Sequence, residues 1–257
     1  RSTLSSSSAA SDVYKRQMRS RYSSIFIIPD VHGRTFWKEI NPDDADLIIF
    51  LGDYVDPYGD EGITPKMALD NLKELVDFYN KYRDKCVFLK GNHDYPYISE
   101  LYKKNFDYLC RHDYEHEKEI ASLLKELDLK DCYIVDNYIF SHAGFNNHYW
   151  KLIQPGYKIG ESISDVLFNY PELAARVSWR RGGDFNYGSH VWEDLHYFLE
   201  SSPNKELSKY TQVFGHTFIK EAIHHNNCYC LDCQDIFKLN LETHKLCYVS
   251  GKEITEI

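Results

Sequence analysis

Residues 47–62 of this 257-residue chain read LIIFLGDYVDPYGDEG, an apolar run that ends by delivering two carboxylates, Asp53 and Asp56. Four other apolar runs end in polar groups of related chemistry. Asp30 and His32 follow SSIFIIP in DVHG, Asn92 and His93 follow CVFL in KGNHD, His142 follows YIF in SHAG, and His216 follows TQVF in GHT. Carboxylate, amide and imidazole donors without thiolate suit Mn²⁺, Fe or Zn²⁺ better than Ca²⁺ or Mg²⁺ alone. Six of these groups, Asp30, His32, Asp53, Asn92, His142 and His216, exceed the need of one ion with an open position, whereas two ions sharing a carboxylate would use all six. A bare charge at a buried strand tip is costly, and two cations would offset it at Asp53.

Positioning these groups is the work of a strand and helix alternation. Ser24–Pro29, Leu47–Leu51 and Cys86–Leu89 read as strands. Thr64 and Pro65 form an N-cap and first-turn pair, opening a helix to about Tyr82 whose Ala68, Leu69, Leu72, Leu75, Val76 and Tyr79 share one face. A short helix is expected between the first two strands. The alternation argues for a right-handed α/β core, in which ligands bind at the carboxyl ends of the strands.

Tyr95–Leu129 reads as helical and heavily charged, a peripheral cap around residues 95–130. CYIVDNYIFSHAG reads as a hairpin turning at Asp136–Asn137, and TQVFGHT, CYCLD, IFKLNLE and HKLCYVS as further short strands. VWEDLHYF at 191–198 reads as an amphipathic packing helix. One domain over 18–257 is expected, after a serine-rich stretch at 1–17 that reads as a disordered, non-native leader before Met18.

The net charge of −9 argues against an extended surface for nucleic-acid phosphates. No apolar run is long enough to span a bilayer, and no partner in a membrane is expected. Seven cysteines, an odd number without a secreted framework's spacing, read as reduced thiols in a cytoplasmic protein. The cluster HHNNCYCLDC at 224–233 lacks a second pair at finger or ribbon spacing and reads as buried thiols rather than zinc ligands.

In order along the chain, DVHG, GDYVD, GNHD, SHAG and GHT resemble the motifs of the calcineurin-like metallophosphoesterases. The likeness is greatest to their phosphoprotein-phosphatase branch, which includes the symmetrical diadenosine-tetraphosphate hydrolases. It spans roughly Ile25 to the C-terminus. The resemblance implies an α/β fold, a four-layer αββα sandwich with two mixed β-sheets, and a dimetal centre. It implies Asp30 and His32 on the first metal, Asp53 bridging, and Asn92, His142 and His216 on the second. Many relatives carry another histidine two residues after that of GH; Phe218 stands there here. His93 resembles the general acid that protonates the leaving oxygen, and Asp56 would accept a hydrogen bond from its other ring nitrogen.

One position departs from the pattern. Relatives commonly read GDYVDRG, with an arginine that clamps the substrate phosphate, whereas this chain has Pro57 in that place. Arg180 and Arg181, in SWRRGGDF, are the leading substitutes, with Lys90 and Arg34 also beside motifs. The resemblance implies a phosphorylated substrate and hydrolysis of phosphomonoesters by a hydroxide shared between two divalent metals, Mn²⁺ first, with Fe or Zn²⁺ as alternatives. Phosphoserine or phosphothreonine in protein is one substrate class. SHAG favours the alternative of a dinucleoside-polyphosphate hydrolase. A non-catalytic metal-binding scaffold is the third reading, against which stand the retained ligands and His93.

Overall fold

The computed structural model describes residues 21–158, 162–202 and 205–257, so the leader at 1–17 lies outside the described residues. Its strands in chain order are β1 (Ser24–Ile28), β2 (Leu47–Phe50), β3 (Cys86–Phe88), β4 (Cys132–Val135), β5 (Tyr138–Ser141) and β6 (Thr211–Phe214), then β7 (Ile223–His225), β8 (Cys228–Cys230), β9 (Phe237–Asn240), β10 (Lys245–Tyr248) and β11 (Thr255–Glu256). They form two sheets, in the orders β10-β9-β1-β2-β3 and β11-β7-β8-β6-β5-β4. Both are mixed. In the first, β1 pairs in parallel with β2 and antiparallel with β9, and in the second β5 pairs in parallel with β6 and antiparallel with β4.

The continuous apolar run of β1 and β2 has two destinations, because successive strand side chains point to opposite faces. Ile25, Ile27, Leu47, Ile49 and Leu51 meet Phe140, Val213, Phe237 and Leu239 between the sheets. Phe26, Ile28, Ile48 and Phe50 face the other way, onto helix α1 (Pro65–Tyr82) through Leu69, Leu72, Leu75 and Val76. All of these residues are buried, each side chain contributing about 1.5–3 kcal/mol. Outside the second sheet, Ile139 packs with Phe145, Tyr149, Trp150 and Ile153, giving the αββα order of layers.

The Thr64 hydroxyl caps α1 by accepting the Met67 N–H at 3.2 Å. Between β1 and β2 the chain makes two 3-10 turns, Phe36–Glu39 and Pro42–Asp44, in place of the expected helix. The segment after β3 is broken into α2 (Tyr95–Ile98), α3 (Glu100–Phe106) and α4 (Glu117–Glu126). A 3-10 turn, Asp107–Leu109, follows α3, and Cys110, Arg111 and His112 then run as irregular chain. The Asp113 carboxylate accepts the N–H groups of Glu115 (3.0 Å) and His116 (3.1 Å) in the turn that leads into α4. Among the described residues no helix is long and apolar enough to cross a membrane.

Candidate metal centre

Loops at the carboxyl ends of β1, β2, β3, β5 and β6 carry the proposed donors, so both sheets contribute. Three of these loops, after β1, β2 and β6, turn sharply a few residues beyond their strands. His32, Asp53, Asp56 and His216 accomplish this with φ of 45°, 56°, 58° and 66°. Left-handed backbone costs a residue with a side chain about 1–2 kcal/mol. It persists only where surrounding contacts impose it.

Those contacts are visible. The Asp94 carboxylate accepts the N–H groups of Gly91 (2.7 Å), Asp53 (2.8 Å) and Tyr54 (3.0 Å), locking the β2 loop to the β3 loop. The Asp53 carbonyl accepts the N–H groups of Val31 (3.1 Å) and His32 (2.6 Å), adding the β1 loop. Across the sheets, the Asp30 carboxylate accepts the His216 N–H at 2.9 and 3.1 Å. Two glycines permit this closeness. A Cβ on Gly91 would stand 2.0 Å from Oδ1 of Asp53, and one on Gly215 would stand 2.2 Å from Oδ1 of Asp30.

One carboxylate oxygen lies between two imidazoles: Oδ2 of Asp53 is 3.4 Å from Nε2 of His32 and 3.4 Å from Nε2 of His142. The rings are oriented from behind. Nδ1–H of His32 donates to the Val55 carbonyl (2.9 Å) and Nδ1–H of His142 to the Leu51 carbonyl (2.9 Å), which turns both Nε2 atoms toward Asp53. Oδ1 of Asn92 stands 2.8 Å from Nε2 of His142 and 2.9 Å from Nδ1 of His216, and the two nitrogens are 3.1 Å apart. Lone pairs so close repel unless a proton or a cation lies among them. This donor set fits divalent metal: among the described residues, donor atoms lie close together in His32, Asp53 and His93, in Asp53, His142 and His216, and in Asp56, His93 and Cys110, whereas Asp30 belongs to none of these groups.

The electrostatics agree with that use. Burial pushes Asp30 up to about 6, against the pull of His142. Burial also opposes ionisation of Asp53, but the neighbouring imidazoles, His142 first, hold it well below the usual carboxylate range. Burial disfavours charge on His142, yet Asp53 and Asp30 raise it to about 9. His32 and His216 are pushed well below the usual range by burial, His216 also by Arg181. The two carboxylates thus favour positive charge on His142 beside them.

Beside the donors stands a second arrangement. Nδ1 of His93 is 3.0 Å from Oδ2 of Asp56, whose Oδ1 accepts the Tyr97 hydroxyl. The Tyr97 oxygen in turn accepts the Asp113 N–H at 2.7 Å. Burial disfavours a charged His93, but the Cys110 sulfur, the Asp53 carboxylate and the Asp56 hydrogen bond outweigh it, holding His93 well above its ordinary value.

Asp53, Asn92, His93 and His216 line a cleft of about 210 Å³ together with Tyr58, Arg111, Arg181 and Trp192. Arg181 reaches it while pairing with Asp194 (Nε to Oδ2, 2.9 Å). Arg180 does not: its guanidinium lies over the Trp179 ring and 3.6 Å from Glu200. Arg34 is engaged by both oxygens of Glu61 and Lys90 by Asp131.

Sequence reasoning missed Asp94, Arg111 and Trp192. Asp94 was discoverable as the last residue of GNHD, but Arg111 sits among the many charges of the segment between β3 and β4. Trp192 belongs to VWEDLHYF, of which only the end is helical, in α8 (Leu195–Glu200 in chain order after α5, Asn147–Lys158, α6, Ile163–Asn169, and α7, Pro171–Ala174). The Glu193 carboxylate, accepting the N–H groups of Gly188 (3.2 Å) and Asp194 (2.9 Å), holds the preceding residues out of the helix. Trp192 then meets His216 edge-on at 5.9 Å.

No curated protein matches the chain in sequence. Among solved structures, a cold-active protein-tyrosine phosphatase of the psychrophile Shewanella sp. is similar, with 15% identity, a TM-score of 0.54, and coverage of 88% of this chain and 77% of that one. A second structure titled as a cold-active protein tyrosine phosphatase gives 14% identity and a TM-score of 0.52 over 88% of this chain and 78% of that one. At these identities the likeness is one of fold. The Calcineurin-like phosphoesterase family itself matches residues 24–249, and over that span lie all five strand-end motifs, so the chain belongs to this family of hydrolases.

Proposed function

We propose that the chain hydrolyses phosphomonoesters with two divalent metal ions, Mn²⁺ first among the candidates. The observation that carries this reading is the single Asp53 oxygen 3.4 Å from an imidazole of each donor group. Asp30, His32 and Asp53 would hold one ion, and Asp53, Asn92, His142 and His216 the other. Such ions neutralise phosphoryl oxygens and make a water acidic enough to attack phosphorus at neutral pH.

The chain's own residues supply the rest. His93 lines the cleft, and with Nδ1 committed to Asp56 it has Nε2 with which to give a proton to the leaving oxygen. Asp56 and Tyr97 are positioning residues, fixing the tautomer and plane of that ring. Arg181 offers a guanidinium to the phosphoryl group from the same cleft.

The test is a substrate panel on protein loaded with Mn²⁺, Fe²⁺ or Zn²⁺. It comprises p-nitrophenyl phosphate, phosphoserine and phosphothreonine peptides, a phosphotyrosine peptide prompted by the Shewanella similarity, and diadenosine tetraphosphate. Metal-dependent phosphate release from the monoesters is expected. Faster release of ADP from diadenosine tetraphosphate would transfer the assignment to dinucleoside-polyphosphate hydrolysis. No turnover on any phosphoester with any of the metals would overturn the reading in favour of a scaffold.

A further inference from the structure

We propose that Arg111 binds the substrate phosphoryl group, delivered onto the β2 loop by the irregular chain between α3 and α4. The inference rests on the phosphoesterase reading and adds a residue that no sequence motif marks. Nε–H of Arg111 donates to the carbonyls of Asp56 (3.0 Å) and Pro57 (3.1 Å), and an Nη2 hydrogen also reaches Asp56 (2.9 Å). The guanidinium lies 3.6 Å over the Tyr58 ring, which sets its plane. Its neighbours pin it on both sides. The Cys110 sulfur donates to the Asn92 carbonyl at 3.5 Å, and the His112 ring stacks on Tyr97 at 4.1 Å.

These partners are neutral, so they orient the cation without cancelling its charge. Among the described residues no carboxylate pairs with Arg111. Glu61, close enough to feel its charge, spends both oxygens on Arg34, at 2.7 and 2.6 Å. Nη2 also lies 3.4 Å from Nδ1 of His32, but that ring N–H already donates to Val55, so the contact is a juxtaposition rather than a hydrogen bond. Nη1 has no hydrogen-bond partner among the described residues. Arg111 is therefore an oriented, uncompensated cation lining the cleft beside a centre whose donors suit cations. Positive charges so arranged repel one another until an anion comes between them, and a phosphoryl group has the charge and the oxygens to do so. Arg181, already paired with Asp194, is the weaker of the two cations in this respect.

Titration of inorganic phosphate into the Mn²⁺-loaded protein by calorimetry tests this, with metal content measured alongside. R111A and R111Q are expected to weaken phosphate binding by about 10- to 100-fold, and R111K by less, with metal stoichiometry unchanged. Should R111A fail to fold, R111K and R111Q carry the comparison. Phosphate affinity within about twofold of wild type in R111Q, or loss of metal in step with loss of phosphate, overturns the assignment. Binding that depends on Arg111 in a protein that turns over no phosphoester would keep this assignment and remove the hydrolytic one. Turnover with an unaffected R111Q would do the reverse.

Discussion

The backbone N–H of His93 donates to Oδ1 of Asp53 at 2.9 Å. This bond occupies one oxygen of the carboxylate and leaves Oδ2 for both sides of the donor set, so Asp53 links the proposed metal site to the residue proposed as the acid. Asp53→Asn keeps an acceptor for His93 but removes the charge shared by both sides. Metal content by elemental analysis is expected to fall further in this variant than in Asp30→Asn, and kcat by at least about 10²-fold. Equal metal stoichiometry in the two variants would argue against a bridging role.

The His93–Asp56 pair makes a prediction about leaving groups. Nitrophenolate departs without a proton, whereas an alkoxide does not. His93→Ala should cost little on p-nitrophenyl phosphate and about 10²–10⁴-fold on an alkyl phosphate, with metal retained. Asp56→Asn should show the same bias more weakly. Equal slowing of both substrates would make His93 a support for Asn92 instead.

The two consecutive arginines should behave differently. Arg181 lines the cleft and Arg180 points to Glu200. Arg181→Ala should lower kcat/KM by about 10-fold or more with metal unchanged, as expected for a lost charge-assisted hydrogen bond, while Arg180→Ala should leave it near wild type. A reversed pattern in steady-state kinetics would refute this geometry.

Away from the cleft, Asp131 predicts a pH effect on stability. Burial pushes its carboxyl up, but His190, Lys90 and Tyr95 overcome that and hold it at about 2, below the ordinary value of 3.8. A depressed folded pKa stabilises the fold above the unfolded value and loses that contribution as pH falls through the folded one. About 2 kcal/mol should therefore vanish between roughly pH 4 and pH 2. Denaturant melts across that window should show a shallower pH dependence in Asp131→Asn; an identical slope would contradict the assignment.

Much of the site was legible because its chemistry is local. A buried strand that ends in Asp53, or in Asn92 and His93, declares itself by an apolar run followed by polar residues, and the Thr64–Pro65 start of α1 by capping and φ restriction. The four-layer sandwich was implied by the family resemblance, whereas the continuous apolar runs of β1 and β2 by themselves indicate strands buried on both faces, each face needing a covering layer. The helix in VWEDLHYF was misread where the Glu193 carboxylate bonds to backbone a few residues away, while the helical segment over 95–129 is present but interrupted before Asp113. Periodicity does not register such local competition.

The amino-acid sequence by itself determined the donor types, their order and the strands that carry them. Tertiary structure alone decided which cations face the cleft. Arg34, Lys90 and Arg180 are held elsewhere by Glu61, Asp131 and Glu200, whereas Arg111 returns to Asp56 across 55 residues. An exposed arginine carries no sequence period that marks its partner, because its long side chain goes wherever distant carboxylates and carbonyls leave it the best place.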